Sequence, residues 1–139
     1  IGTDGTASNN TLDMVEEMRF AALLPKGSLH NPEAVNARTA LRMATINGAK
    51  ALGIHHLTGS LEVGKRADLI VIHADASNML PIYDVYSAIV YASNSKNIRS
   101  SMVNGKWIMR NRELLNIDKT GTMESMKHIV NSQIDNRKS

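Results

Sequence analysis

Asn104-Gly105 constrains this chain more than any other pair of residues. It lies between two short runs rich in apolar residues, 98–103 and 106–109. Asn-Gly is the favoured two-residue loop of a β-hairpin because both positions need positive φ, which glycine adopts freely and asparagine tolerates. The pair therefore predicts two antiparallel strands and rules out a helix across them. Trp107 falls on the packed face of this hairpin and is expected in the core, since no basic neighbourhood supports a stacking role.

The remaining texture divides near Leu57. Before it the apolar period is helical. Leu12, Val15, Met18 and Ala22 recur at spacings of three, three and four, which predicts a helix with one buried stripe. Asn9 or Asn10 is placed to cap it, and Asp13, Glu16 and Glu17 fall where the macrodipole favours negative charge. It is expected to end before Pro25. Asn31-Pro32-Glu33 predicts the start of a second helix, with Ala34, Ala37, Leu41 and Ala44 as a small-residue face suited to close packing. A third begins at Thr45, carries Ile46, Ala49 and Leu52, and stops at Gly53.

After Leu57 short strands and turns take over. Gly59 and Gly64 mark turns, and the continuous apolar run Leu69-Ile70-Val71-Ile72 predicts a strand buried on both faces. Val85, Ala88, Ile89 and Ala92 predict a short helix over 84–92. Thr122-Met123-Glu124 opens a last helix with an apolar stripe of Met123, Met126, Val130 and Ile134, read as a docking face. Arg137 and Lys138 would favour its negative end.

Composition excludes several functions. There is no cysteine, so disulfide scaffolds and thiolate metal sites are excluded. The net charge of +3 is spread out: residues 1–60 carry five acids and five bases, 61–118 six and seven, and 119–139 two and four. No basic face emerges, and no nucleic-acid partner is expected. No apolar run approaches the roughly 18–20 residues of a membrane span, so no membrane partner is expected either. With no cysteine and no basic-then-apolar leader, a cytoplasmic location is expected, and a first residue other than Met, read as lying inside a strand, points to truncation or proteolysis. His55-His56 suggests a metal, but adjacent side chains diverge by about 100° on a helix and 180° on a strand. His30, His73 and His128 have no ligand-like spacing.

That leaves the first ten residues, Ile1-Gly2-Thr3-Asp4-Gly5-Thr6-Ala7-Ser8-Asn9-Asn10. Aspartate between glycines is an ordinary turn residue. Alternatively, a parallel strand ends at Thr3 and presents Asp4 at its C-terminal rim, where barrel enzymes keep their catalytic groups.

Three blocks carry a family likeness. Gly2 to Asn10, with Leu12-Asp13-Met14 and Glu16-Glu17-Met18-Arg19, resembles the last barrel strand of the amidohydrolase superfamily, in its branch of adenosine-type deaminases and triazine hydrolases. Ala40-Leu41-Arg42-Met43-Ala44-Thr45 with Gly48-Ala49-Lys50-Ala51-Leu52-Gly53, and the run from Gly59 to Leu69, agree in order and spacing.

The resemblance implies an α/β fold: the C-terminal piece of a metal-dependent (β/α)8 barrel over 1–54, the C-terminal part of a composite β-sandwich domain over 55–117, and a terminal helix and tail over 118–139. A whole barrel needs about 250 residues. The family holds a divalent metal, zinc first and iron second, with a His-x-His pair, further histidines and one aspartate, and only the aspartate has a counterpart here. The metal lowers the pKa of a bound water. By this likeness Asp4 is metal ligand, catalytic proton shuttle and substrate contact at once. The implied reaction is hydrolytic deamination of a purine nucleoside, 5′-methylthioadenosine or S-adenosylhomocysteine, with a triazine-type chlorohydrolase or a guanine deaminase as alternatives. The 139 residues alone are expected to be inactive and to lack a tight metal site. From a different class, the chain would be a non-catalytic, self-associating module. Strands missing their partners favour association, so a homo-oligomer is expected.

Overall fold

The computed structural model describes residues 1–136. Five α-helices and four strands follow one another as α1 (Met14–Ser28), α2 (Ala37–Ala44), α3 (Ile46–Ala51), β1 (Leu69–Ile72), α4 (Val85–Ser87), β2 (Ile98–Val103), β3 (Lys106–Arg110), β4 (Glu113–Leu114) and α5 (Lys119–Asn136). A π-helical stretch, Ala88–Ala92, continues α4, and a 3-10 turn, Ser95–Asn97, leads into β2. The Arg137 and Lys138 expectation lies outside the described residues.

The helical core is small and made of small residues. Met18 and Ala22 of α1 meet Ala37 and Ala40 of α2, and Val90 of the π-helical stretch closes the cluster. Ala22, Ala40 and Val90 are fully buried. Alanine at a helix contact lets the backbones approach closely. Of the predicted face Ala37 is buried, Leu41 and Ala44 flank the cluster and Ala34 precedes the helix, while the fully buried Ala40 was not among the predicted positions. Val15, Val35, Leu41, Ala44, Ile89 and Tyr91 flank the cluster.

Helix boundaries differ from expectation for local reasons. The α1 cap is Asp13, whose Oδ1 accepts from the Val15 and Glu16 amides at 2.9 and 3.3 Å. Asn9 instead folds the preceding loop: its Oδ1 accepts from the Thr11 and Leu12 amides. Pro25 does not end α1. It sits in the last turn, where its missing N–H removes a single ladder bond, and its own carbonyl still receives the Leu29 amide at 3.0 Å. Asn31-Pro32-Glu33 forms a turn rather than a helix start, because Asn31 Oδ1 takes the Glu33 amide at 2.9 Å. Asn36 caps α2 by accepting from the Thr39 amide. The third helix starts and stops near the expected positions, with Gly53 at φ +72° just beyond its cap. Thr45 does not cap it, however: its hydroxyl donates back to the Leu41 carbonyl at 2.8 Å.

The strands form one antiparallel sheet in the order β1-β2-β3-β4. Asn104 and Gly105 make the hairpin turn with φ of 49° and 77°, and Met102 opposes Trp107 across it. Trp107 is half-buried, and the Arg110 guanidinium carbon lies 5.9 Å from its ring centroid, so a cation does cover this ring. Strand β1 is not buried on both faces: Ile70 is 54% and Val71 39% exposed. Among the described residues it pairs along one edge only, with β2. Residues 1–3 form no strand, since a strand exists only where a neighbour accepts its ladder and these residues have none among the described residues. The segment from 57 to 68 is fastened by Asp68, whose carboxylate takes the Thr58 hydroxyl at 2.7 Å and the Asn104 amide at 2.5 Å. Gly59 is obligatory there. At φ +91° a Cβ would stand 2.7 Å from that of Ala49.

The last helix starts at Lys119, three residues before the predicted Thr122, because Asp118 Oδ1 takes the Gly121 amide. Its Met123, Met126, Val130 and Ile134 are all about half exposed. Among the described residues no helix is long and apolar enough to cross a membrane.

Candidate functional site

Asp4 sits at an exposed turn with φ 59°, a left-handed conformation that aspartate tolerates better than most residues with a Cβ. The turn closes through Gly5, whose carbonyl accepts from the Ser8 and Asn9 amides at 3.1 and 2.9 Å. Ser8 Oγ donates to Asp4 Oδ2 at 2.8 Å. That hydroxyl, and after it the Gly5 amide, hold the Asp4 carboxyl below the ordinary aspartate range. The side chain is therefore a carboxylate at neutral pH and open to solvent.

The loop is tied to the helical core in two steps. Asn9 Nδ2 donates to Glu17 Oε1 at 2.6 Å, fixing the turn to α1. One helical step further, Arg19 binds the carbonyls that end the π-helical stretch: Nε donates to Val90 O at 3.4 Å and Nη2 to Ser93 O. Ser8 and Arg19 are positioning residues that spacing alone did not single out. Both lie inside the blocks that carry the family likeness, and no local periodicity marks either one.

A second polar knot was also missed. Asn97, 3% exposed, accepts at Oδ1 from Asn94 N and Asn78 Nδ2, both at 2.9 Å, and donates to Asn78 Oδ1 at 3.2 Å. No buried side-chain polar atom among the described residues lacks a partner. The only sequence signal was an asparagine-rich stretch that also reads as a loop.

Among the described residues no group of three or more His, Cys, Asp or Glu side chains converges. The His55 and His56 rings stand perpendicular, with centroids 6.1 Å apart. A zinc site needs three or four protein donors, so these residues do not by themselves fit a metal. Asp4 is a single ionised, solvent-facing oxygen donor.

Comparison with known proteins gives the family. The amidohydrolase family matches residues 1–108, and the chain belongs to it. It is 44% identical over 130 residues to a 5-methylthioadenosine/S-adenosylhomocysteine deaminase of Acetivibrio thermocellus, covering 94% of this chain and 30% of that protein. It is 47% identical over 124 residues to a 5′-deoxyadenosine deaminase of Methanosarcina barkeri, covering 89% and 28%. Among solved structures, an adenosine deaminase from Xanthomonas campestris with bound zinc superposes with a TM-score of 0.89 at 40% identity, over 92% of this chain and 29% of that one. An atrazine chlorohydrolase from Arthrobacter aurescens complexed with zinc gives 0.82 at 27%, over 91% and 28%. The chain thus spans about 30% of the length of the curated relatives it matches.

Replacing Ser8 with alanine should raise the Asp4 pKa towards the ordinary aspartate value, read by NMR titration of the carboxyl carbon. The sign follows from linkage. A depressed carboxyl contributes stability above the unfolded-state pKa and loses it as pH falls through the lowered folded value, so the variant should show a weaker loss below pH ~4. An unchanged Asp4 titration would remove Ser8 from this role.

Proposed function

We propose that this chain is the C-terminal portion of a hydrolytic deaminase acting on adenosine-type nucleosides of the 5′-methylthioadenosine or S-adenosylhomocysteine kind, and that Asp4 is its active-site carboxylate. The observation that supports it is the Gly-Thr-Asp-Gly turn, which presents Asp4 ionised and open to solvent. The printed names of relatives at 44% and 47% identity supply the substrate class. Residues 1–54 are read as the end of the barrel, 55–117 as part of the strand domain, and 118–139 as a terminal helix and tail.

In this reading Asp4 accepts the proton of the attacking water at its carboxylate and passes it to the departing ammonia. A divalent ion, zinc as in the structural neighbours, would supply an activated water. Ser8 keeps the carboxylate ionised until that proton arrives, and Asn9 and Glu17 hold the turn against α1. A triazine-type hydrolase is the second reading, favoured by the 0.82 superposition but at lower identity.

The test is a zinc-loaded protein of the relatives' full length that carries this segment. It is offered 5′-methylthioadenosine, S-adenosylhomocysteine, 5′-deoxyadenosine, guanine and a chlorotriazine in parallel. Ammonia release from an adenosine-type substrate with kcat/KM at least about tenfold above the others supports the proposal, a margin that pocket contacts readily supply. Faster chloride release would replace it with the second reading.

A further inference from the structure

We propose that the recess between the end of β1 and the β3–β4 turn binds a small multivalent oxyanion of the phosphate or diphosphate class. The recess has a volume of about 220 Å³ and is lined by His73, Lys96, Arg99, Asn111 and Arg112. These come from four places in the chain: the residue after β1, the 3-10 turn, β2 and the β3–β4 turn. None of them belongs to the Asp4 turn, and the inference does not rest on the deaminase reading.

Two features distinguish this recess from a scatter of surface cations. The first is how the guanidiniums are held. Arg99 donates from Nε to Asn111 Oδ1 at 2.9 Å, and Arg112 donates from Nη1 to the carbonyls of Ser95 and Ile98 at 2.9 and 3.1 Å. Each is anchored on one side. Among the described residues its other nitrogens, the Lys96 ammonium and the His73 ring make no hydrogen bond, and the one salt bridge is Lys65–Glu62. The lining contains no carboxylate. Two anchored guanidiniums and the Lys96 ammonium thus share one concavity whose lining holds no carboxylate. A fork-shaped donor fixed at one edge is suited to taking an oxyanion with the other.

The second feature is the turn that builds it. Arg110 pairs with Glu113, so Asn111 and Arg112 form a two-residue hairpin loop with φ of 49° and 72°. The Asn104-Gly105 hairpin solves the same problem with glycine in the second position. Here an arginine occupies that left-handed position, a conformation disfavoured for a residue with a Cβ. Such outliers persist where the surroundings hold them and gather at ligand sites. The strain brings the Arg112 guanidinium back over the 3-10 turn, beside Lys96.

A ligand of charge −2 or more suits three cations, and the size of the recess admits phosphate or diphosphate. Calorimetric titration of the 139-residue chain with inorganic phosphate, pyrophosphate and adenosine 5′-diphosphate separates a free anion from a nucleoside-borne one. Saturable 1:1 binding of pyrophosphate is expected. Arg112→Gly removes the charge while placing the residue best suited to the turn, so the fold should survive and affinity should fall roughly tenfold or more, as should Arg99→Gln. Lys50→Gln, outside the recess, should leave binding unchanged. Absence of saturation, or equal losses in Lys50→Gln and Arg112→Gly, overturns the proposal. So does loss of pyrophosphate binding in a protein of the relatives' full length, because the recess would then be a contact for the rest of the polypeptide.

Discussion

Asp4→Asn, in a zinc-loaded protein of the relatives' full length, is expected to lower kcat by about 10²–10⁴, the usual worth of a positioned proton-transfer group. Asparagine matches aspartate in shape, tolerates the left-handed φ of 59° and can still accept from Ser8 through its amide oxygen. The turn should therefore persist, and the thermal unfolding temperature should fall only slightly, by the small contribution of the exposed, depressed carboxyl. What disappears is an oxygen that can hold a proton between the attacking water and departing ammonia. Ser8→Ala should cost far less, because it shifts the carboxyl without removing it. An Asp4→Asn enzyme within tenfold of the parent would end the assignment of proton transfer to this residue.

Met18→Ala is expected to cost about 2–4 kcal/mol, measured by urea unfolding. Met18 is 4% exposed and is the largest side chain in a cluster otherwise built of Ala22, Ala37, Ala40 and Val90. Alanine neighbours have no rotamers with which to fill the void, so little of the cavity can collapse. Met126→Ala on α5, where the methionine is 61% exposed, should change stability by no more than about 0.5 kcal/mol. A comparable cost for the two would mean that α5 is covered in solution.

Local chemistry was legible wherever a residue type has few options. Asn104-Gly105 has essentially one compatible turn, and Gly53 stands where a helix end needs positive φ. Part of the alanine face of α2 was readable, Ala37 in particular, because helical period and side-chain size are both properties of the sequence, whereas burial of Ala40 depended on where α1 and Val90 lie. Asp4 stood out as a candidate only because its neighbouring words resemble one family. Its ionisation could not be read that way, since the hydroxyl that lowers its pKa comes from Ser8, four residues on, through a turn formed only in three dimensions.

The misses share a cause. Asn9, Asp13, Asn31 and Asn36 are all competent caps, and only the path of the chain decided which of them met a free helix end. The apolar run of β1 fits equally a strand in the middle of a sandwich and one at an exposed edge. Arg19 reaches Val90 and Ser93 across more than seventy residues, and no window of sequence contains both ends of that bond.

By itself, then, the sequence determined the glycine turns at Asn104-Gly105 and Gly53, the helical and extended periods and the family, because these depend on dihedral preference, side-chain size and runs of residue identity. Tertiary structure alone decided which polar groups meet: the Ser8–Asp4 pair, the Asp68 clasp on Asn104, the Asn78–Asn97 knot and the two anchored arginines. A hydrogen bond needs two groups within about 3 Å, and only the folded path brings together residues that the chain keeps far apart.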